Sequence, residues 1–174
     1  HIELPKFASI HHVALAKEHR LIPVVFVNCG GISNVTVITS ERFEDVTAFD
    51  CGPGNVLLDK FVKAKTDGQH QMDKDGTFAL AGTANVDMLV KLQACSCRVG
   101  GQNYFDLPAP KSLCSHHFTF PEGFDALSLE DGCATLAAFT ANIIIESVPE
   151  NAGLATWVLG GGGWKNPAIR AALD

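Results

Sequence analysis

The residues best suited to chemistry in this sequence follow short apolar runs. Val24–Val27 is a β-branched run with the composition of a buried strand, and Asn28–Gly31 interrupts it with an asparagine and two glycines. A second run, Val35–Ile38, comes shortly afterwards, so the pair predicts a β-hairpin. A third run, Val46–Phe49, ends on Asp50. A carboxylate at a strand end, beside glycine-bearing turns, is placed where it can meet a metal ion.

A glycine-rich turn then leads into a helix. We predict a turn at Cys51–Asn55, which carries Gly52 and Gly54, and a helix that begins with the apolar periodicity at Val56. Glycine lets the backbone approach a ligand closely, and bare N–H groups at a helix N-terminus attract anions. The stretch 24–59 therefore favours phosphate binding. An ordinary α/β meander whose glycines only make turns is the alternative that the spacing leaves open.

A second glycine-rich turn lies near the end of the chain. Ala155–Leu159 predicts a buried strand, and Gly160–Gly163 follows it directly. Asn166 can cap the next helix, with Pro167 at its first position. A strand-to-helix turn without any ligand explains the same pattern, so the residues alone leave both interpretations open.

Capping residues predict the helices between these two turns. Asn85 can cap one helix, and Ser128 followed by Asp131 resembles a capping box at the start of the longest one, which Pro149 ends. The small residues on that longest helix predict close packing on the sheet. Its apolar or small positions recur with helical period at 134, 137, 138, 141, 144, 145 and 148.

Other segments are less regular. Residues 1–23 are hard to assign, although Ile10–Lys17 favours a short helix. Thr66–Gly82 is rich in Asp, Gly and Gln and is predicted to be a loop. Within it, Asp73–Gly76 fails the calcium-loop template, so we expect an exposed turn whose Asp side chains cap backbone N–H groups.

A cysteine and histidine cluster offers a competing hypothesis. Cys95 and Cys97 are separated by one residue, and Cys114 with His116–His117 could complete a zinc ligand set. Nothing in the sequence places these groups next to each other. A Cys/His metal-binding domain is therefore kept as an alternative.

Composition and charge narrow the classes of function. The chain has 174 residues, 47% of them hydrophobic, and a formal net charge of -6. These values suit one globular domain with a substantial core. Without a basic stripe, nucleic acid and anionic membranes are poor partners, and no apolar stretch approaches the roughly 20 residues that span a bilayer. Six cysteines in a chain of this size are not a disulfide scaffold, so we expect a reduced, cytoplasmic protein.

Five sequence blocks together resemble the anhydro-N-acetylmuramic acid kinase family. In the family's order they are NCGGISNVTVI, FDCGPGNVLLD, MDKDGTFALAGTAN, LPAPKS and GGGGWKNP. The resemblance implies an α/β, ribonuclease-H-like lobe of the actin-like ATPase and sugar-kinase fold, with a mixed sheet flanked by helices. It also implies ATP, Mg²⁺ and phosphorylation of a 1,6-anhydro sugar with ring opening. Levoglucosan kinases look similar in the same blocks, so the blocks specify the reaction more narrowly than the sugar.

The resemblance assigns roles to particular residues. Donors to the phosphate groups are expected from the first hairpin: Asn28, Gly30, Gly31 and Asn34. Contacts to the adenine and ribose are expected from the last turn: Gly160, Gly161, Gly162 and Asn166. Asp50 is expected to organise Mg²⁺, mainly through water. Gly52 and Gly54 would shape the loop beside it.

Three features of the sequence depart from the family pattern. No Asp-containing, glycine-rich loop, which supplies the family's catalytic base, precedes Val24, and LPAPKS continues as Leu113–His117 instead of Thr-Gly-Arg-Glu. The chain also stops before the family's acidic substrate residue. We therefore expect one domain over residues 1–174 that forms one lobe of a two-lobed kinase, with its catalytic base unidentified. Its partners would be a sugar, a nucleotide and either a second lobe or another copy. A non-catalytic nucleotide-binding or scaffold domain derived from such a kinase is the alternative.

Overall fold

The computed structural model describes residues 5–152 and 155–173. Its helices are α1 Pro5–Glu18, α2 Val56–Lys65, α3 Thr77–Ala81, α4 Val86–Cys95, α5 Leu129–Glu146 and α6 Pro167–Ala171. Its strands are β1 Val24–Cys29, β2 Ile32–Ile38, β3 Val46–Pro53, β4 Arg98–Val99, β5 Gln102–Asn103 and β6 Thr156–Gly160. Three consecutive strands, β1–β3, are followed by the helices α2–α4, and β6 lies between α5 and α6, so the fold combines helices and strands in one α/β unit.

The main sheet has the strand order β3-β2-β1-β6. β1 pairs antiparallel with β2, and β2 pairs antiparallel with β3, so the predicted hairpin is confirmed. β6 returns after the helical segment and lies parallel to β1. This parallel pair makes the sheet mixed, and helices flank it. The predicted fold class is therefore confirmed.

The two faces of the sheet bury different residues, because side chains alternate along a strand. We call them the α5 face and the α1 face. On the α5 face, Val25 and Val27 belong to the larger core, which α2 and α5 cover. On the α1 face, Val24 and Phe26 form a smaller core with Ala16 of α1.

Helix α5 packs closely on both the sheet and α2. A Cβ on Gly52 of β3 would overlap Ile143 of α5, and a Cβ on Gly132 of α5 would overlap the Phe61 ring of α2. Ser128 Oγ accepts the N–H of Asp131 at 3.0 Å, which confirms the predicted cap. The Asp131 carboxylate, however, accepts the N–H of Thr83 at 2.8 Å, so it does not complete a capping box with Ser128.

Three local predictions are wrong in part. The segment Thr66–Gly82 is not a continuous loop, because it contains α3 and a 3₁₀ turn at Lys74–Gly76. The predicted turn at Cys51–Asn55 begins later, since β3 continues through Pro53. The strand at β6 is confirmed but is not buried: it lies at the edge of the sheet, and Leu159 is 40% exposed.

Candidate functional site

Three polar residues lie in one row across the sheet, at the end where the glycine turns begin. Asn28 of β1 is opposite Asn34 of β2, and Asn34 is opposite Asp50 of β3. Gly160 of β6 lies next to Asn28 on the other side. Paired residues point to the same side of a sheet, so the three polar side chains share the α1 face. We call Asn28, Asn34 and Asp50 the polar row.

Asp50 is held by a segment that runs along the free edge of β3. Its Oδ2 accepts the N–H of Leu113 at 2.8 Å, and its backbone N–H donates to the Lys111 carbonyl at 3.1 Å. The Tyr104 hydroxyl donates to the Asp50 carbonyl oxygen at 2.6 Å. Burial raises the pKa of Asp50, and the Leu113 N–H partly offsets this. The segment Tyr104–Leu113, which contains the LPAPKS block, therefore braces Asp50 through contacts that no short-range motif predicts.

The tip of the first hairpin is fixed to the start of α2. The Gly31 carbonyl accepts the N–H groups of Gly54 and Val56, both at 3.0 Å, and the Gly30 carbonyl accepts that of Asn55 at 2.8 Å. These three amides are therefore already used inside the protein. Phosphate donors at this end must come from the hairpin tip and the polar row.

The glycines of this region have different structural roles. Gly52 lies inside β3, where a Cβ would overlap Ile143 of α5, so it permits helix packing instead of shaping a loop. Gly54 approaches the Gly30 carbonyl so closely that a Cβ would overlap it. Gly31, in contrast, has open space where a Cβ would be. The hairpin tip therefore presents a surface at Gly31 that a ligand can reach.

The last glycine turn leaves β6 beside the hairpin. Gly161 has a φ of 96°, in the left-handed region, and a Cβ there would overlap the Cys29 carbonyl oxygen. A Cβ on Gly162, in contrast, would meet nothing within 4 Å. The two predicted nucleotide turns therefore meet at the same end of β1 and β6, and each has one glycine open to a ligand.

Asn166 has a buried side chain that is already bonded at both ends. Its Oδ1 accepts the N–H of Ala168 at 3.0 Å, which confirms the predicted cap of α6. Its Nδ2 donates to Asp73 Oδ2 at 3.2 Å. The side chain of Asn166 is thus occupied within the protein, and a contact to nucleotide from this position would come from the backbone.

Asp73 belongs to the Asp73–Gly76 segment, which the sequence predicts to be an exposed turn. Its side chain is 5% exposed, and its two oxygens accept the N–H groups of Phe78 at 2.8 Å and Ala79 at 3.2 Å. The predicted capping is thus confirmed, but the predicted exposure is wrong for this residue. Burial, and to a smaller extent the charge of Asp73, raises the pKa of the neighbouring Asp59 to about 6.

His12 of α1 packs on the α1 face against Phe26 and Thr36, which are the neighbours of Asn28 and Asn34 on that face. Its ring stacks on Phe26 with a centroid distance of 4.3 Å, and its Nδ1 is 3.0 Å from Thr36 Oγ1. Burial, and then the adjacent His11, lowers the pKa of His12. A neutral imidazole here serves the packing of α1 against the sheet.

The zinc hypothesis finds no ligand set in the part of the chain that the structure describes. No three His, Cys, Asp or Glu side chains come close enough there to hold a metal ion. Cys97 is buried, whereas Cys114 is exposed. The backbone N–H of Cys114 donates to Nδ1 of His117 at 3.1 Å.

A cavity of about 220 Å³ lies on the α5 face, away from the polar row. Phe49, Lys111 and Glu146 form part of its lining.

The comparisons with known proteins agree with this geometry. The sequence model of the anhydro-N-acetylmuramic acid kinase family matches residues 4–174. Proteins named anhydro-N-acetylmuramic acid kinase from Caulobacter vibrioides and Phenylobacterium zucineum are each 38% identical over 95% of this chain. One from Rhodospirillum rubrum is 39% identical over 94% of it. The chain spans 40–42% of the length of these relatives.

The mixed sheet and its two glycine turns are those of a lobe of the sugar-kinase class. The match over residues 4–174 makes the assignment specific: the chain belongs to the anhydro-N-acetylmuramic acid kinase family. Separately, no helix among the described residues combines the length and apolar character needed to cross a membrane.

Proposed function

We propose that this chain is the nucleotide-binding lobe of an ATP-dependent kinase that opens and phosphorylates 1,6-anhydro-N-acetylmuramic acid. The observation that carries the proposal is the meeting of two glycine turns and the polar row at one end of the sheet. Asn28 pairs with both Asn34 and Gly160, so the hairpin and the last turn are neighbours. The names of the relatives, anhydro-N-acetylmuramic acid kinase, support the same reaction.

ATP would lie across β1 and β6 in this arrangement. The hairpin tip at Gly31 would face the phosphates, and the open backbone at Gly162 would face the adenine and ribose. The side-chain amides of Asn28 and Asn34 would add donors on the α1 face. Phosphoryl transfer depends mainly on such positioning and on neutralisation of charge.

Asp50 is the residue that we propose for magnesium. One carboxylate oxygen is fixed by Leu113, and the other has no hydrogen-bond partner among the described residues. Mg²⁺ keeps several waters and takes one or two carboxylates, so a single aspartate beside two asparagine amides fits it. The ion would neutralise developing charge on the transferred phosphoryl group. Asp50 would hold and orient it from the sheet.

The catalytic base is not supplied by the polar row. Opening of the anhydro ring requires a base to activate water. Asp50 is the one carboxylate in the row, and its Oδ2 is already bonded to Leu113. We therefore expect this chain alone to bind nucleotide without transferring phosphate. That outcome also matches the second candidate, a non-catalytic nucleotide-binding or scaffold domain derived from such a kinase, which the lack of a second carboxylate in the polar row favours.

A nucleotide titration followed by chemical shifts tests the site. Signals from residues 28–34 and 160–166 should respond together when ATP is added. Responses confined to residues 95–117 would exclude the proposed site. The variant Asp50→Asn should weaken binding of the magnesium complex by about 1–3 kcal/mol and metal-free binding less. Equal losses with and without Mg²⁺ would give Asp50 a structural role only.

Coupled ADP release tests the reaction itself. This chain and the full-length Caulobacter vibrioides relative would be assayed with anhydro-N-acetylmuramic acid and with levoglucosan. Turnover by the relative and only nucleotide binding by this chain is the expected result, because loss of a base costs about 10²–10⁴ in rate. Sugar-dependent turnover by this chain would require a base among its own carboxylates. We place the protein in the cytoplasm, where its six free thiols would stay reduced.

A further inference from the structure

The Asp73 carboxylate connects two segments that are far apart in sequence. It caps the first turn of α3 through the N–H groups of Phe78 and Ala79. It also accepts from Nδ2 of Asn166, the residue that ends the last glycine turn. Both side chains are buried, at 5% and 7% exposure. Water therefore does not compete with the bond between them.

We propose that Asp73 is the positioning residue of the last glycine turn: through Asn166 it holds residues 160–166 in the shape that receives nucleotide. This inference rests on the proposed function, because it says which residue holds the proposed nucleotide site in shape. Asp73 itself acts through Asn166 and does not touch the ligand.

The bond fixes which way the Asn166 amide points. Ala168 offers an N–H, so Asn166 must turn its oxygen toward Ala168 and its NH₂ group toward a second acceptor. Asp73 Oδ2 is that acceptor. If the amide turned over, its NH₂ group would face the Ala168 N–H, and the cap of α6 would be lost. The Asp73 charge thus selects the capped orientation.

The backbone of Asn166 is bonded both to the glycine turn and to α6. The backbone N–H of Asn166 donates to the Gly163 carbonyl at 3.0 Å, which closes the turn that follows the glycines. The Arg170 N–H donates to the Asn166 carbonyl at 3.3 Å and continues α6. A displaced Asn166 would therefore loosen both the glycine turn and the helix after it.

The contact between the two segments is tight enough to transmit this constraint. Gly76 lies in the left-handed region with a φ of 67°, and a Cβ there would be 2.6 Å from Asn166 Oδ1 and 2.9 Å from Pro167 Cδ. The chain at Asp73–Gly76 therefore fits directly against Asn166. A side chain at position 76 would separate them.

Two isosteric substitutions disturb the bond in opposite ways. Asp73→Asn leaves a single oxygen for the donors of Phe78, Ala79 and Asn166, so its NH₂ group must face at least one of them. Asn166→Asp places a carboxylate against the Asp73 carboxylate. The double variant with both substitutions restores one donor and one acceptor with the direction of the bond reversed. Asn166→Asp also leaves the α3 cap intact, so it provides the test if Asp73→Asn does not fold. Asp75→Asn is the matched control, because Asp75 is exposed and its φ of 56° suits asparagine.

Hydrogen exchange of the nucleotide-free protein measures the turn directly. We expect each single variant to speed exchange at the amides of residues 163–170 about tenfold, with the double variant near wild type and Asp75→Asn unchanged. ADP titration should show about tenfold weaker binding in each single variant and recovery in the double one.

The two measurements separate this inference from the proposed function. If both single variants exchange like wild type, or if the double variant is no better than they are, Asp73 does not position the turn. If wild type binds no nucleotide, the proposed function fails. The exchange data then still decide whether the Asp73–Asn166 bond sets the shape of the turn.

Discussion

A methyl group at position 54 should destabilise the protein by about 2–4 kcal/mol, because it has no space. A Cβ on Gly54 would overlap the Gly30 carbonyl oxygen and lie 3.2 Å from Ser33 Oγ. That carbonyl also accepts the N–H of Asn55 at 2.8 Å, so relief of the overlap must stretch this bond. Overpacking of this kind costs about 1–3 kcal/mol, and a lost hydrogen bond adds about 1 kcal/mol.

Thermal unfolding of Gly54→Ala and Gly31→Ala measures the effect. Gly31 belongs to the same hairpin tip, but a Cβ there would meet nothing within 4 Å, so its variant should be nearly neutral. For a chain of this length, the expected loss lowers the midpoint of Gly54→Ala by roughly 5–15 °C. Equal midpoints for the two variants would show that the hairpin tip moves away freely, and the argument from close approach would be wrong.

Three further substitutions test other contacts. Asp59→Asn should stabilise the protein by on the order of 1 kcal/mol above about pH 6 and have little effect near pH 4. The folded-state pKa of about 6 means that the ionised carboxylate, present above that pH, is unfavourable in the folded protein. Because Asp59 is about half exposed, solvent screens part of this cost. Urea denaturation at both pH values checks this, and an equal gain at both would contradict it. Tyr104→Phe removes the donor to the Asp50 carbonyl and should cost about 1 kcal/mol in the same assay; no loss would mean that this bond contributes nothing. Ser128→Ala removes the cap that accepts the Asp131 N–H and should cost about 1 kcal/mol, whereas Ser128→Asp should retain most of the stability; equal loss in both would rule out capping.

Features that depend on neighbours in sequence could be predicted. The hairpin follows from two β-branched runs around Asn28–Gly31, and the caps at Asn85, Ser128 and Asn166 each accept an N–H two or three residues further on. Such bonds are made within one turn of chain, so residue type and spacing contain enough information.

Features that depend on distant contacts could not be predicted. The burial of Asp73, whose capping of backbone N–H groups the sequence predicts, depends on its contact with Asn166, far along the chain. Exposure of β6 depends on its place at the sheet edge, which a run of apolar residues does not reveal. The brace on Asp50 comes from Leu113, far along the chain. The polar row, however, could have been found from the hairpin register, which pairs Asn28 with Asn34.

The position of β6 also has a consequence for biosynthesis. β1, β2 and β3 pair with their sequence neighbours, whereas β6 joins β1 only after the chain from Pro53 to Thr156 has been made. Contacts that close such long loops form late, because loop closure has an entropic cost. Until then, one backbone edge of β1 has no partner on the growing chain. This edge is therefore the place where a nascent chain would pair with a second copy or meet a chaperone.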